Sequence, residues 1–243
     1  MTHLQLPRAP AEENEIIALP YEEVERRLPA PWPDSEIEAR TRRRILASGQ
    51  KLVVIDDDPT GCQTVHDVPL LLEWSTDTLC EGLGDPAPAL FVLTNSRAMS
   101  PNQAARVNRE IARNLSQAWQ RCAAPYAILS RSDSTLRGHF PAETDVLGRE
   151  LGPYDGLLLA PCFFEGGRYT LNGIHWVRQG QSLLPAAQTE SAADPSFGFH
   201  HSYLPAWIEE KTGGRVQAGQ VCVISIEDIR AGGPDRIAAR LSG

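Results

Sequence analysis

The sequence predicts an α/β fold: a largely parallel sheet flanked by helices in a Rossmann-like three-layer arrangement. Four short apolar runs predict it first, at 52–55 (LVVI), 90–93 (LFVL), 126–129 (YAIL) and 157–159 (LLL). Each switches abruptly to polar or turn-forming residues, as buried strands do. Helical periodicity fills the intervals after the second and third runs, so strand and helix alternate from Leu90 to Leu159. That alternation calls for parallel crossovers.

Taken in order, residues 1–35 carry Pro29, Pro31 and Pro33 with mixed charge and little apolar periodicity, which predicts an arm. Residues 36–48 (EIEARTRRRILAS) predict one charged helix stopped at Gly49, its arginines forming a solvated face. The arm and helix make up 1–48, and the α/β domain follows over 49–243. The stretch 68–73 is apolar enough for a further strand of undetermined direction. Ser100 and Gln103 match a capping box, Pro101 suits a first helical position, and Ala104, Val107, Ile111, Leu115 and Ala118 keep helical spacing to Cys122. A second helix is predicted from near Pro141 to before Gly152. In 165–173 (EGGRYTLNG) the glycines and the Asn-Gly pair also fit a hairpin. Gly213 and Gly214 read as a helix stop after Trp207 to Lys211. Residues 221–226 predict a late strand, and the helix opening after Gly-Gly-Pro predicts that the chain continues into a longer protein.

Composition narrows the function classes. The 243 residues hold 23 Lys+Arg against 31 Asp+Glu, a net charge of −8, which argues against nucleic acid as a partner. No apolar run reaches the length of a membrane span and no signal peptide opens the chain, so a cytoplasmic protein without membrane contact is predicted. Cys62, Cys80, Cys122, Cys162 and Cys222 are scattered and show no CxxC spacing; neither a disulfide framework nor a zinc site is predicted. The histidines show no metal-ligand spacing, so no metal site is expected in this chain.

In a parallel α/β sheet, ligands bind beyond the carboxyl ends of the strands. Asp56, Asp57, Asp58, Thr60 and Gly61 follow the first run. Asn95, Ser96 and Arg97 follow the second, and Arg131, Ser132, Asp133, Ser134, Thr135 and Arg137 the third. Carboxylates, hydroxyls and arginine forks on one rim suit a small hydroxylated carboxylic acid. The same residues also serve blander ends, since three aspartates cap a turn and a Ser/Asp loop caps a helix. Neither GxxxxGK[ST] nor a strand-to-helix GxGxxG is present, so no nucleotide cofactor is held by a motif of this chain.

The segments LVVIDDDPTGCQTVHDVP, FVLTNSR, SRSDSTLRGHFPAE, APCFFEGGRYTLNGIHWV, FGFHHSYLPAWIEEKTGGRV and ISIEDIRAGGP occur in an order that resembles the N-terminal domain of the four-carbon acid sugar kinase family, over about residues 50–240. The resemblance implies a two-domain kinase transferring the γ-phosphoryl group of ATP to a hydroxyl of threonate or erythronate. Its own C-terminal nucleotide domain would supply the ATP and Mg2+ site, and a homo-oligomer is compatible with it. Matched by motif, Asp57 and Asp133 are the candidate catalytic carboxylates. Asp58, Thr60, Ser96, Arg97, Arg131, Ser134, Arg137, Arg168 and Asn172 are the candidate substrate-binding residues. Asp56 and Pro59 stand where many relatives carry apolar residues. Two other readings remain from the residues alone. Asp56, Asp58 and Thr60 spell the DxDxT of a haloacid-dehalogenase-type phosphohydrolase, with Lys211 as the sole downstream lysine. The isolated chain also reads as a non-catalytic sugar-acid-binding module.

Overall fold

The computed structural model describes residues 18–242. In chain order its elements are β1 (Leu19–Pro20), α1 (Tyr21–Arg27), α2 (Ile37–Ser48), β2 (Lys51–Asp56), β3 (Leu70–Leu71), α3 (Thr76–Gly84), β4 (Ala89–Leu93), α4 (Pro101–Cys122), β5 (Tyr126–Arg131), α5 (Ala142–Leu151), β6 (Arg168–Leu171), β7 (Ile174–Gln179), β8 (Ser182–Pro185), α6 (Leu204–Lys211) and α7 (Gly233–Ser242). They divide into two compact units: a sheet unit of residues 36–133 and 138–158, and a second unit that includes residues 18–35, 134–137 and 159–242.

The sheet unit is a parallel four-stranded sheet flanked by helices, in the order β3-β4-β2-β5. Its winding follows from handedness. The crossovers β3–α3–β4 and β4–α4–β5 advance in the same direction across the sheet, and right-handed connections then place both helices on one face. That face carries Val53, Ile55, Leu90 and Val92, buried against Leu79 and Leu83 of α3, Ile111 and Leu115 of α4, and Leu147 of α5. On the opposite face Val54 and Phe91 are buried while Leu52 and Leu129 are exposed.

Several predicted elements form as read. Helix α4 starts on a complete Ser100–Gln103 capping box with Pro101 in its first turn. Helix α2 stops on Gly49 at φ 64°, a left-handed conformation that suits glycine. Stretch 68–73 contributes β3, parallel to β4. Two predicted strands do not form. Residues 157–159, confined between Gly156 and Pro161, belong to no strand, and Leu157 and Leu158 are exposed. Residues 221–225 belong to no strand either: Ser225 and Asp228 bond reciprocally through side chain and backbone and turn the chain into a helical start at Ile226.

The second unit holds an antiparallel sheet, β1-β8-β7-β6. Within the segment read as an arm, residues 1–17 lie outside the described residues. Residues 18–35 include β1, paired with β8, and Leu19 and Val24 are buried with Leu171, Ile174, Trp176 and Leu183. Strands β6 and β7 form the hairpin that Asn172-Gly173 allows, with φ of 53° and 76°. Among the described residues no helix is long and apolar enough to cross a membrane.

Cys80 and Cys122, unremarkable in spacing, meet as a disulfide, with Cα atoms 6.1 Å apart where α3 packs beside α4. Cys62, Cys162 and Cys222 are free. Linking residues 42 apart should stabilise the fold by about 3–4 kcal/mol. Thiol titration of unreduced, denatured protein should count the three free cysteines, and Cys80→Ser should lower the unfolding midpoint. Five reactive thiols would contradict the pairing.

Candidate functional site

Register builds the site. Asp56 at the end of β2 lies level with Leu93 of β4 and Arg131 of β5, so the three following loops leave the same carboxyl edge of the sheet. After β4, Asn95 adopts a left-handed φ of 53°, a conformation asparagine tolerates. The short 3₁₀ turn Ser96–Ala98 follows.

Arg97 reaches back to the acidic loop. Its Nε donates to Asp57 Oδ2 (3.1 Å) and its Nη2 to Asp57 Oδ1 (2.5 Å), a bidentate fork, while Nη1 donates to Asp58 Oδ2 (3.0 Å). Ser132 Oγ adds a third bond to Asp57 (2.8 Å). Asp57 is therefore buried, with three of its roughly four acceptor positions taken. Arg97 keeps two N–H groups beyond these three bonds, because a guanidinium has five. Asp133, half-buried after β5, also bears electrostatically on Arg97. The site thus pairs one oriented cation with a partly accessible carboxylate.

Two neighbours shape the acidic loop. Thr60 donates from its amide (2.8 Å) and its hydroxyl to Asp58 Oδ1, and the hydroxyl bond is the main cause holding that carboxyl below its ordinary range. Asp56 is 1% exposed; its Oδ1 accepts from Arg131 Nη1 (3.1 Å) and its Oδ2 is buried without a partner. Burial pushes the Asp56 carboxyl up, against the pull of Arg131. A Cβ on Gly61 would lie 1.9 Å from Asp56 Oδ2, so this carboxylate is closed off by backbone and cannot serve as an exposed nucleophile.

Beneath the turn lies a buried polar set of which motif reasoning flagged only Ser96, as a substrate-binding candidate. Ser96 is fully buried; its Oγ donates to Glu143 Oε1 (2.5 Å), which also accepts from Asn108 Nδ2 (3.1 Å). Thr94 Oγ1 lies 2.8 Å from Ser96 Oγ, and His139 Nε2 lies 3.0 Å from the Ser96 carbonyl oxygen. The sequence does hold a signal: Asn108 falls on the apolar stripe of α4 and Glu143 one turn before Val146 and Leu147 in α5. Polar residues in core register mark buried partners.

Burial is the main cause raising the Glu143 carboxyl above its ordinary 4.5. The folded state then binds the proton more tightly than the unfolded one, so this contribution is full below about 4.5 and is lost as pH rises through the folded value. Glu143→Gln should therefore match the wild type in midpoint near about pH 4 and exceed it increasingly towards neutrality. A thermal-melt series showing a constant or shrinking difference would contradict this.

The remaining candidates belong to the second unit. Chain connectivity divides the Asp-Ser-Thr-x-Arg-Gly motif between units after Asp133 and before Gly138. In the second unit the Ser134 carbonyl oxygen lies 2.7 Å from Nε2 of the fully buried His175, a further residue that the motifs did not flag. Arg137 donates from Nε to Thr135 Oγ1 (3.2 Å) and approaches Asp194 at 3.9 Å. Arg168 donates to the Gly166 carbonyl, and Asn172 occupies the hairpin turn. Among the described residues, no three His, Cys, Asp or Glu side chains are arranged to hold a metal ion.

A family model described as a sugar-binding N-terminal domain matches residues 52–243. A D-erythronate kinase of Heliobacterium modesticaldum is 29% identical over 159 residues, covering 63% of this chain and 34% of that protein. A D-threonate kinase of Bordetella bronchiseptica is 29% identical over 168 residues, covering 66% and 39%. The chain thus spans about a third to two-fifths of the length of these relatives. A crystal structure from Bordetella bronchiseptica, described as a domain of unknown function with bound citrate and a domain-swapped dimer, is 27% identical. It covers 66% of this chain and 40% of its own, with a TM-score of 0.49.

Proposed function

The chain belongs to the family of sugar-binding N-terminal domains, and on that premise we propose that it is the acid-sugar-binding part of an ATP-dependent cytoplasmic kinase acting on threonate or erythronate. The observation that carries the reading is the Asp57–Arg97 fork at the carboxyl edge of the parallel sheet, with Asp133 beside it. Arg97 holds the carboxylate of the acid with its two remaining N–H groups, while Asp57 fixes the guanidinium plane. Of the two candidate bases, Asp133 takes the role in this reading, because it is half-buried where Asp57 is buried beneath Arg97 and Ser132.

ATP supplies the γ-phosphoryl group, bound with Mg2+ by a C-terminal nucleotide domain that partners this one. On this chain, Asp133 orients the acid's hydroxyl and accepts its proton as the oxygen bonds to phosphorus, and Arg97 offsets the charge of the bound anion. Arg131 braces the acidic loop through Asp56. Ser134, Arg137, Arg168 and Asn172 belong to the second unit, and the proposed acid site of the sheet unit is built without them.

The test is turnover. Mixing the chain with ATP, Mg2+ and each acid, with and without the downstream-encoded polypeptide, and following phosphorylated product by mass spectrometry should give product only with both parts. Product from this chain alone, or phosphate release from a generic phosphoester, would overturn the reading.

A further inference from the structure

Glu143 is 4% exposed in the first turn of α5, where the helix N-terminus favours a carboxylate. It faces away from any role as base: its Oε1 is occupied by Ser96 Oγ and Asn108 Nδ2. Around Ser96 the chain converges from three directions. Glu143 in α5 takes its hydroxyl, Thr94 after β4 lies against the same hydroxyl, and His139 before α5 lies against its carbonyl. The next residue is Arg97, whose amide donates to the Asp57 carbonyl (3.2 Å) and whose side chain grips the Asp57 carboxylate. Removing Glu143 would take the acceptor from the buried Ser96 hydroxyl and leave the Asn108 amide with the Ala104 carbonyl alone, so the turn would re-form around other bonds.

We propose that Glu143 is a positioning residue, fixing Ser96 and through it the aim of the Arg97 guanidinium. Its consequence for acid binding rests on the reading of Arg97 given above; its consequence for Arg97 itself does not.

The experiment follows the Arg97 Nε–H by 15N–1H spectroscopy of the full chain, the signal being assigned by its loss in Arg97→Lys. In Glu143→Ala, exchange of this proton with water should quicken at least about tenfold. In Glu143→Gln, which keeps an acceptor at the same place, it should stay within about threefold of wild type. Ser96→Ala, which cuts the link with Glu143 still present, should reproduce the alanine result and decides the matter if Glu143→Ala does not fold. Leu147→Ala, a core truncation on the same helix, should leave Arg97 as in wild type. Unchanged exchange in Glu143→Ala and Ser96→Ala, or equal quickening in Leu147→Ala, would overturn the proposal. Calorimetric titration with erythronate and threonate should show the same ranking in affinity. If the wild type binds neither acid, the acid-sugar reading fails, while Arg97 exchange still decides the role of Glu143.

Discussion

Arg97→Ala is expected to cost the sheet unit about 3–5 kcal/mol and, on the proposed function, to abolish acid binding. The cost arises because Asp57 would stay buried with a charge that only Ser132 Oγ still meets, and an unpaired buried charge is far more expensive than the pair was worth. Arg97→Lys separates charge from shape: an ammonium keeps the ion pair but cannot span both Asp57 oxygens and Asp58 together. It should fall between wild type and alanine in denaturant unfolding and lose most acid affinity. A loss below about 1 kcal/mol for alanine, the size of an exposed surface pair, would show the fork to be solvated rather than built.

Gly61→Ala is the second large effect. The added methyl would sit 1.9 Å from Asp56 Oδ2 and 2.1 Å from Arg131 Nη1, so the buried Asp56–Arg131 pair must move. Overpacking of this kind costs about 1–3 kcal/mol, and the displaced carboxylate puts the loss at the upper end. Gly84→Ala, with nothing within 4 Å of its Cβ, serves as the control and should lose nothing. Equal midpoints for the two variants would mean the acidic loop is looser than its packing implies.

What was legible in the sequence was local chemistry. Ser100, Pro101 and Gln103 specify the start of α4, Gly49 the end of α2, and Asn172-Gly173 a hairpin turn, because each acts through its immediate neighbours. The acidic loop and Arg97 were also legible, being placed after apolar runs that do become β2 and β4. Long-range outcomes were not. Residues 157–159 look like a strand, yet an apolar run becomes one only with a hydrogen-bonded neighbour. The direction of winding, which puts α3, α4 and α5 on one face, is a property of strand order. The meeting of Cys80 with Cys122 follows from helix packing, and the burial of Ser96, Asn108 and Glu143 together depends on three elements that only the fold brings into contact.

The sequence-flagged site residues fall in both compact units. Asp57, Asp58, Arg97, Arg131 and Asp133 belong to the sheet unit, and Ser134, Arg137, Arg168 and Asn172 to the other.

Isothermal titration of the wild-type chain with D-erythronate and D-threonate, against the uncharged four-carbon polyol as control, tests the account most directly. Saturable binding of at least one acid, none of the polyol, and loss of that binding in Arg97→Ala is the predicted result. Equal heats for acid and polyol, or acid binding that survives Arg97→Ala unchanged, would contradict it.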